Sequence, residues 1–189
     1  MEATFLDISL IEKEFENLIL TSKLFVNNRR EEELTILKNN VEILNKKFDT
    51  ITIDLKNAES QNLLFLDVLK KVISKLQATI QLLEQVKSNK PLYRQMDVSM
   101  MVDILLGKIK SLINYIVDKE PLNIDTLSSD LQFMECLEDQ HKRVLMTYLM
   151  QDWENLKEVM VLMKIGEIYK TISSELVNSI VFMKSAEVQ

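Results

Sequence analysis

LTILKNNVEILNKKFDTITIDLKNAESQNLLFLDVLKKVISKLQATIQLLEQV, residues 34–86, is the stretch whose reading decides the fold. With Leu34 at heptad position a, the a series runs Leu34, Val41, Phe48, Leu55, Asn62, Leu69, Leu76 and Leu83. The d series runs Leu37, Leu44, Ile51, Ala58, Phe65, Val72, Thr79 and Val86. A chain that is 47% apolar would fill about half of these sites with apolar residues by chance, yet only Asn62 and Thr79 break the frame. Such a frame specifies a coiled-coil helix, because a 3.5-residue repeat keeps one stripe facing a partner. Read as one helix over 31–87, it makes a rod of about 80 Å at about 1.5 Å per residue, which cannot bury its seam on itself. Leu34, Leu37, Val41, Leu44, Phe48, Ile51, Leu55, Asn62, Phe65, Leu69, Val72 and Leu76 are therefore expected to face a partner chain.

The flanking positions divide this stretch. In its first half the e and g sites are polar: Lys38, Asn45, Thr52 and Glu59, with Asn40, Lys47, Asp54 and Gln61. That is a narrow seam suited to a two-stranded coil. In the second half Leu66, Ile73 and Ile80 occupy e, and Val68 and Leu82 occupy g, so the face widens and calls for two or more neighbours. Asn62 sits at the join. It either fixes register and strand number or is a polar residue tolerated where the bundle opens.

Outward from the rod the pattern stays helical. Ile8, Ile11, Phe15, Leu18 and Phe25 share one face and predict a helix over 4–26. The polar run Asn27–Glu33 contains no breaker, so it is a short turn or a stutter, with a turn favoured. Ser88-Asn89-Lys90-Pro91 ends the rod. Val98, Val102, Leu105, Ile109, Leu112 and Ile116 step by four and three and predict a helix over 95–118. Within it Gly107 weakens the helix or admits a close neighbour. After Pro121, Ser129-x-x-Gln132 has the form of a capping box, and a last helix is expected over 129–184, with Gly166 its one weak point. From Val144 to Tyr169 that helix is apolar on more than one side and must be surrounded. Leu145, Leu149, Trp153, Leu156, Met160 and Met163 are its expected interface residues. Methionine fills irregular gaps and also suits adaptable partner surfaces, so Met134, Met146, Met150, Met160 and Met163 are read as core or as interface.

Composition supports an all-α fold: a single elongated helical unit over 1–189, of coiled-coil and bundle segments. Two glycines (107 and 166) and two prolines (91 and 121) are too few for the turns of a sheet protein. The net charge of −6 argues against nucleic acid and against direct contact with an acidic microtubule surface. A single cysteine, Cys136, excludes an internal disulfide. Met1–Asp7 carries early acids and no basic segment, so no secretory signal is expected. No apolar run approaches the roughly 18 residues of a membrane helix, and an intracellular protein without membrane partners is expected.

Catalytic chemistry finds little to build on. His141 is the only histidine, and Glu138 and Gln140 beside it do not make a metal site. Cys136 and His141, five apart, share a helical face poorly and have no evident third partner. There is no glycine-rich loop to cradle phosphate. The expectation is no catalytic residue, no metal, no cofactor and no enzyme.

Residues Leu63–Leu92 carry the helix Leu-Phe-Leu-Asp-Val-Leu-Lys-Lys-Val-Ile-Ser-Lys-Leu-Gln-Ala, then Leu82-Leu83-Glu84-Gln85-Val86-Lys87 and a proline break before the next helix. In this and in overall size and helix plan the chain resembles the small helical subunits of augmin, a coiled-coil complex that recruits γ-tubulin and branches spindle microtubules. The resemblance covers about a third of the chain by pattern. It implies helical partner subunits, a cytoplasmic and cytoskeletal setting at spindle and centrosome, and a scaffolding part in microtubule nucleation. It transfers no functional residue. A kinetochore or vesicle-tethering coiled-coil subunit is the alternative in the same class. A self-contained helical bundle binding a regulatory partner or an apolar ligand is the alternative of another class.

Overall fold

The helices follow from the apolar spacing and from their ends. In the computed structural model, which describes residues 13–18, 20–21, 31–54, 60–85, 95–117, 121, 123–151 and 156–187, every long segment is α-helical and no strand occurs among the described residues. They are α1 (Glu31–Asp54), α2 (Ser60–Glu84), α3 (Gln95–Val117), α4 (Ile124–Gln151) and α5 (Leu156–Glu187), preceded by helical residues at 13–18 and 20–21. Glu31, Glu32 and Glu33 place negative charge on the exposed N–H groups that open α1. Asn123 caps α4: its side-chain oxygen accepts the Thr126 N–H at 3.1 Å, and its carbonyl accepts the Leu127 N–H. That cap starts α4 ahead of the capping box expected at Ser129, which lies inside the helix.

The 80 Å rod does not exist. Lys38 of α1 pairs with Glu84 of α2, and Asp49 of α1 pairs with Lys70 of α2 at 3.0 Å. In one straight helix Lys38 and Glu84 would stand about 69 Å apart. The two halves of the heptad stretch instead pack antiparallel, as a hairpin, and bury their stripes in the same core: Leu37, Val41, Leu44 and Phe48 from α1, and Leu69, Val72, Leu76 and Leu83 from α2. A heptad seam needs a facing helix, and this chain supplies it from its own sequence.

The single C-terminal helix expected over 129–184 is corrected in the same way. Lys170 of α5 donates to Glu138 of α4 at 2.8 Å, a pair that a continuous helix would hold about 48 Å apart. Here α4 and α5 form a second antiparallel hairpin, the most extensive helix contact in the molecule. Gly166 permits it. A Cβ at that position would lie 3.3 Å from His141 Cδ2, and 3.7 Å from Glu138 Cγ and Met101 Cε. Gly107, by contrast, has open space around it, so no close neighbour explains it.

α5 joins the parts. It packs on α2, α3 and α4, and Val159, Leu162, Ile165, Tyr169, Ile172, Leu176 and Ile180 are all buried. α2 accordingly has neighbours on two sides, α1 and α5, which is what its widened apolar face requires. Val68, Ile73 and Ile80 are buried, and Lys75 bridges to Glu175 of α5 at 2.7 Å. α3 runs antiparallel to α4: Lys108 reaches the Leu127 carbonyl and Asp97 reaches His141. The helical residues at 13–18 dock on α1, where Phe15 meets Phe48 edge-on with ring centroids 6.1 Å apart and Glu14 pairs with Lys47 at 2.7 Å. Glu16 reaches across to Lys110 of α3 at 3.3 Å.

Candidate interaction surface

The predicted seam is spent inside the chain. Leu37, Val41, Leu44, Phe48, Leu69, Val72 and Leu76 are buried in the hairpin core, with Leu34 half-buried against it. As folded, these side chains pack against the chain's own helices. The side chains of Ile51, Asn62 and Phe65, and the whole of Leu55 and Trp153, lie outside the described residues. In the C-terminal set Leu145 and Leu149 belong to the core, Met163 is half-buried, and Leu156 and Met160 are exposed.

What remains at the surface is a set of large apolar side chains. Met146 and Met150 of α4, with Leu156 and Met160 of α5, lie toward one end of the second hairpin, where α4 stops and α5 begins. Met150 is 75% exposed and Met160 60%. Val181 and Phe182 are exposed near the far end of α5, and Ile36 and Ile43, a heptad apart, on α1. Single exposed apolar residues are normal on any protein surface, and contiguous apolar patches are less common. The methionines were legible as a group in the sequence. Which of them turn outward was not, because that depends on where α4 and α5 separate.

The polar interior has a structural character. His141, at 1% side-chain exposure, holds its Nδ1 within 3.2 Å of Asp97 Oδ2, and its Nε2 finds no hydrogen-bond partner among the described residues. Its ring lies against Gly166, so it is wedged among α3, α4 and α5. Glu138 is buried and neutralised by Lys170, whose pKa its hydrogen bond raises. Tyr169 is enclosed, and burial pushes its phenol well up. Lys108 is fully buried with its ammonium 3.3 Å from the Leu127 carbonyl, and burial pushes its pKa down to about 8. Sequence reading missed Lys108, Asp97 and Tyr169, since their partners lie on other helices. Cys136 is exposed on α4. No three residues among His, Cys, Asp and Glu gather as a metal site among the described residues. No described helix is long and apolar enough to cross a membrane.

No family model and no curated protein matches this chain. The class that the fold defines is an all-α protein of antiparallel helical hairpins.

Proposed function

We propose that this chain is a non-catalytic structural subunit of a larger assembly of helical proteins. One observation carries the reading: large apolar side chains, Met150, Met160 and Phe182 among them, remain on the surface after the helices have filled their common core. Covering such groups stabilises an assembly by about 25 cal/mol for each Å² removed from water. The particular assembly proposed is of the augmin type, in a spindle and centrosome setting, on the resemblance carried by Leu63–Leu92. The acidic chain would then leave contact with the microtubule lattice to other subunits. The experiment is recovery of the tagged chain from dividing cells, followed by identification of stoichiometric companions. Co-purifying augmin subunits support the full proposal. Other helical subunits support the structural role alone. An isolated chain at native expression contradicts both.

A second reading has its own observation. Because α1 and α2 bury their heptad stripes on each other, the chain has the means to fold alone as a self-contained bundle that binds a regulatory partner. Expression of the chain by itself separates the readings. A monomer that melts cooperatively favours the bundle, and open-ended association relieved by co-expression favours the obligate subunit.

A further inference from the structure

We propose that the outer edge of the α4/α5 hairpin, formed by Met146, Met150, Leu156 and Met160, docks an amphipathic helix of another protein whose apolar stripe is flanked by acidic residues. The inference rests on the subunit reading above and adds the surface and the partner's chemistry.

Lys170 of α5 pairs with Glu138 of α4 at 2.8 Å, so Lys142, one turn on from Glu138, stands level with the turn of α5 that holds Gly166 and Glu167. Because the helices are antiparallel, one turn from Lys142 leads to Met146 while one turn from Glu167 leads back to Met163. The next steps in the same direction reach Met150 on one helix, and Met160 and Leu156 on the other. The exposed apolar side chains of the two helices therefore share one edge, with half-buried Met163 between them.

The rim of this edge gives the partner its charge. Met146 follows Lys142 and Arg143 by four and three residues, and Met160 stands between Lys157 and Lys164 at spacings of three and four. Residues at those spacings are surface neighbours, and all four basic side chains are exposed. On the same surface Glu167 is already paired with Lys164 at 2.8 Å, and Glu158 is half-exposed. With Lys164 taken up by Glu167, exposed Lys142, Arg143 and Lys157 leave this edge of a chain of net charge −6 a basic frame around an apolar centre. Acidic residues beside an apolar stripe complement it. Unbranched, polarisable methionines adapt to a helix laid across them, whereas an anionic membrane would be repelled by the rest of the chain.

The test uses the full chain and two fluorescein-labelled synthetic helices with the same leucine stripe, one flanked by glutamates and the other by lysines. Anisotropy titration at low salt is expected to show the glutamate-flanked helix binding about tenfold tighter than the other, with the difference shrinking in high salt. The double variant M150E/M160E is expected to weaken that binding about tenfold, as loss of central apolar anchors does. Both side chains are exposed, so its circular dichroism and melting should match the parent. Equal binding of the two helices, or undiminished binding by the folded variant, overturns the proposal. So does self-association of the parent that the variant abolishes, which would assign the edge to a second copy. Binding of the parent, but not the variant, to phosphatidylserine vesicles would assign it to membrane and equally overturn the proposal. If M150E/M160E retains every companion of the parent in cells, this surface is wrong while the subunit reading stands. If the parent has none, the broader reading fails first.

Discussion

Replacing Lys108 with methionine should stabilise this protein at neutral pH. Lys108 projects from α3 into the contact with α4, has no solvent exposure, and donates only to the Leu127 carbonyl at 3.3 Å. Asp130 and Glu135 attract it without pairing directly, and desolvation outweighs them, taking its pKa from 10.5 to about 8. A depressed lysine pKa means that the unfolded chain holds the proton more tightly than the folded one. Stability is therefore lowered by the full amount below about pH 8, and recovers as pH rises from about 8 toward 10.5. The shift corresponds to a ceiling of about 3 kcal/mol at about 1.4 kcal/mol per unit. Water penetration and relaxation reduce this to about 1–2 kcal/mol. Lys108→Met keeps the apolar stem's volume and removes the charge, so a gain of about 1–2 kcal/mol is expected at pH 7. The gain should shrink by about half at pH 9.5, where most of the folded-state amine is already neutral. Urea unfolding followed by circular dichroism at both pH values measures it. A variant less stable than the parent at pH 7, or a difference independent of pH, would refute the reasoning.

Two further perturbations test the packing. Gly107→Ala meets open space at an exposed helix position and should add about 0.5–1 kcal/mol of stability. Gly166→Ala, whose Cβ would press on the His141 ring at 3.3 Å, should give none of that gain or a net loss, and thermal melts of the pair side by side show the contrast. Phe48→Ala removes a wholly buried ring and its edge-on contact with Phe15, and should cost about 3–5 kcal/mol in denaturant unfolding. A cost under about 1 kcal/mol would mean that Phe48 is not enclosed between residues 13–18 and the hairpin core.

Much of the helical content and much of the core could be read from the sequence, because both follow from spacing. The heptad frame picked out Leu37, Val41, Leu44, Phe48, Leu69, Val72, Leu76 and Leu83, all of them buried. It also marked Thr79 as an exception, and Thr79 is buried too, its hydroxyl satisfied by the Lys75 carbonyl at 3.1 Å. What spacing does not encode is whether the facing stripe belongs to another chain or to the next stretch of the same one. The chain direction reverses between Asp54 and Ser60 and again between Gln151 and Leu156, and neither interval contains glycine or proline. In the first, Leu55 and Ala58 even continue the heptad frame. For the same reason spacing marks apolar residues without saying which of them end at the surface. Leu156 and Met160 were named as interface residues and are exposed, whereas the long seam became core once the rod folded back. The Asp97–His141 contact spans 44 residues, and neighbours in sequence could not disclose it.

The antiparallel hairpin of α1 and α2 brings positions 38 and 84 together, and the distance between them tests it. Cysteines at Lys38 and Glu84, with Cys136 replaced by serine, can carry spin labels for pulsed electron resonance. Folded as described, the two labels lie within about 20 Å, label arms included, because the native side chains are in contact across an interhelical spacing of about 10 Å. A distribution centred near about 69 Å, the span of an unbroken helix, would contradict it.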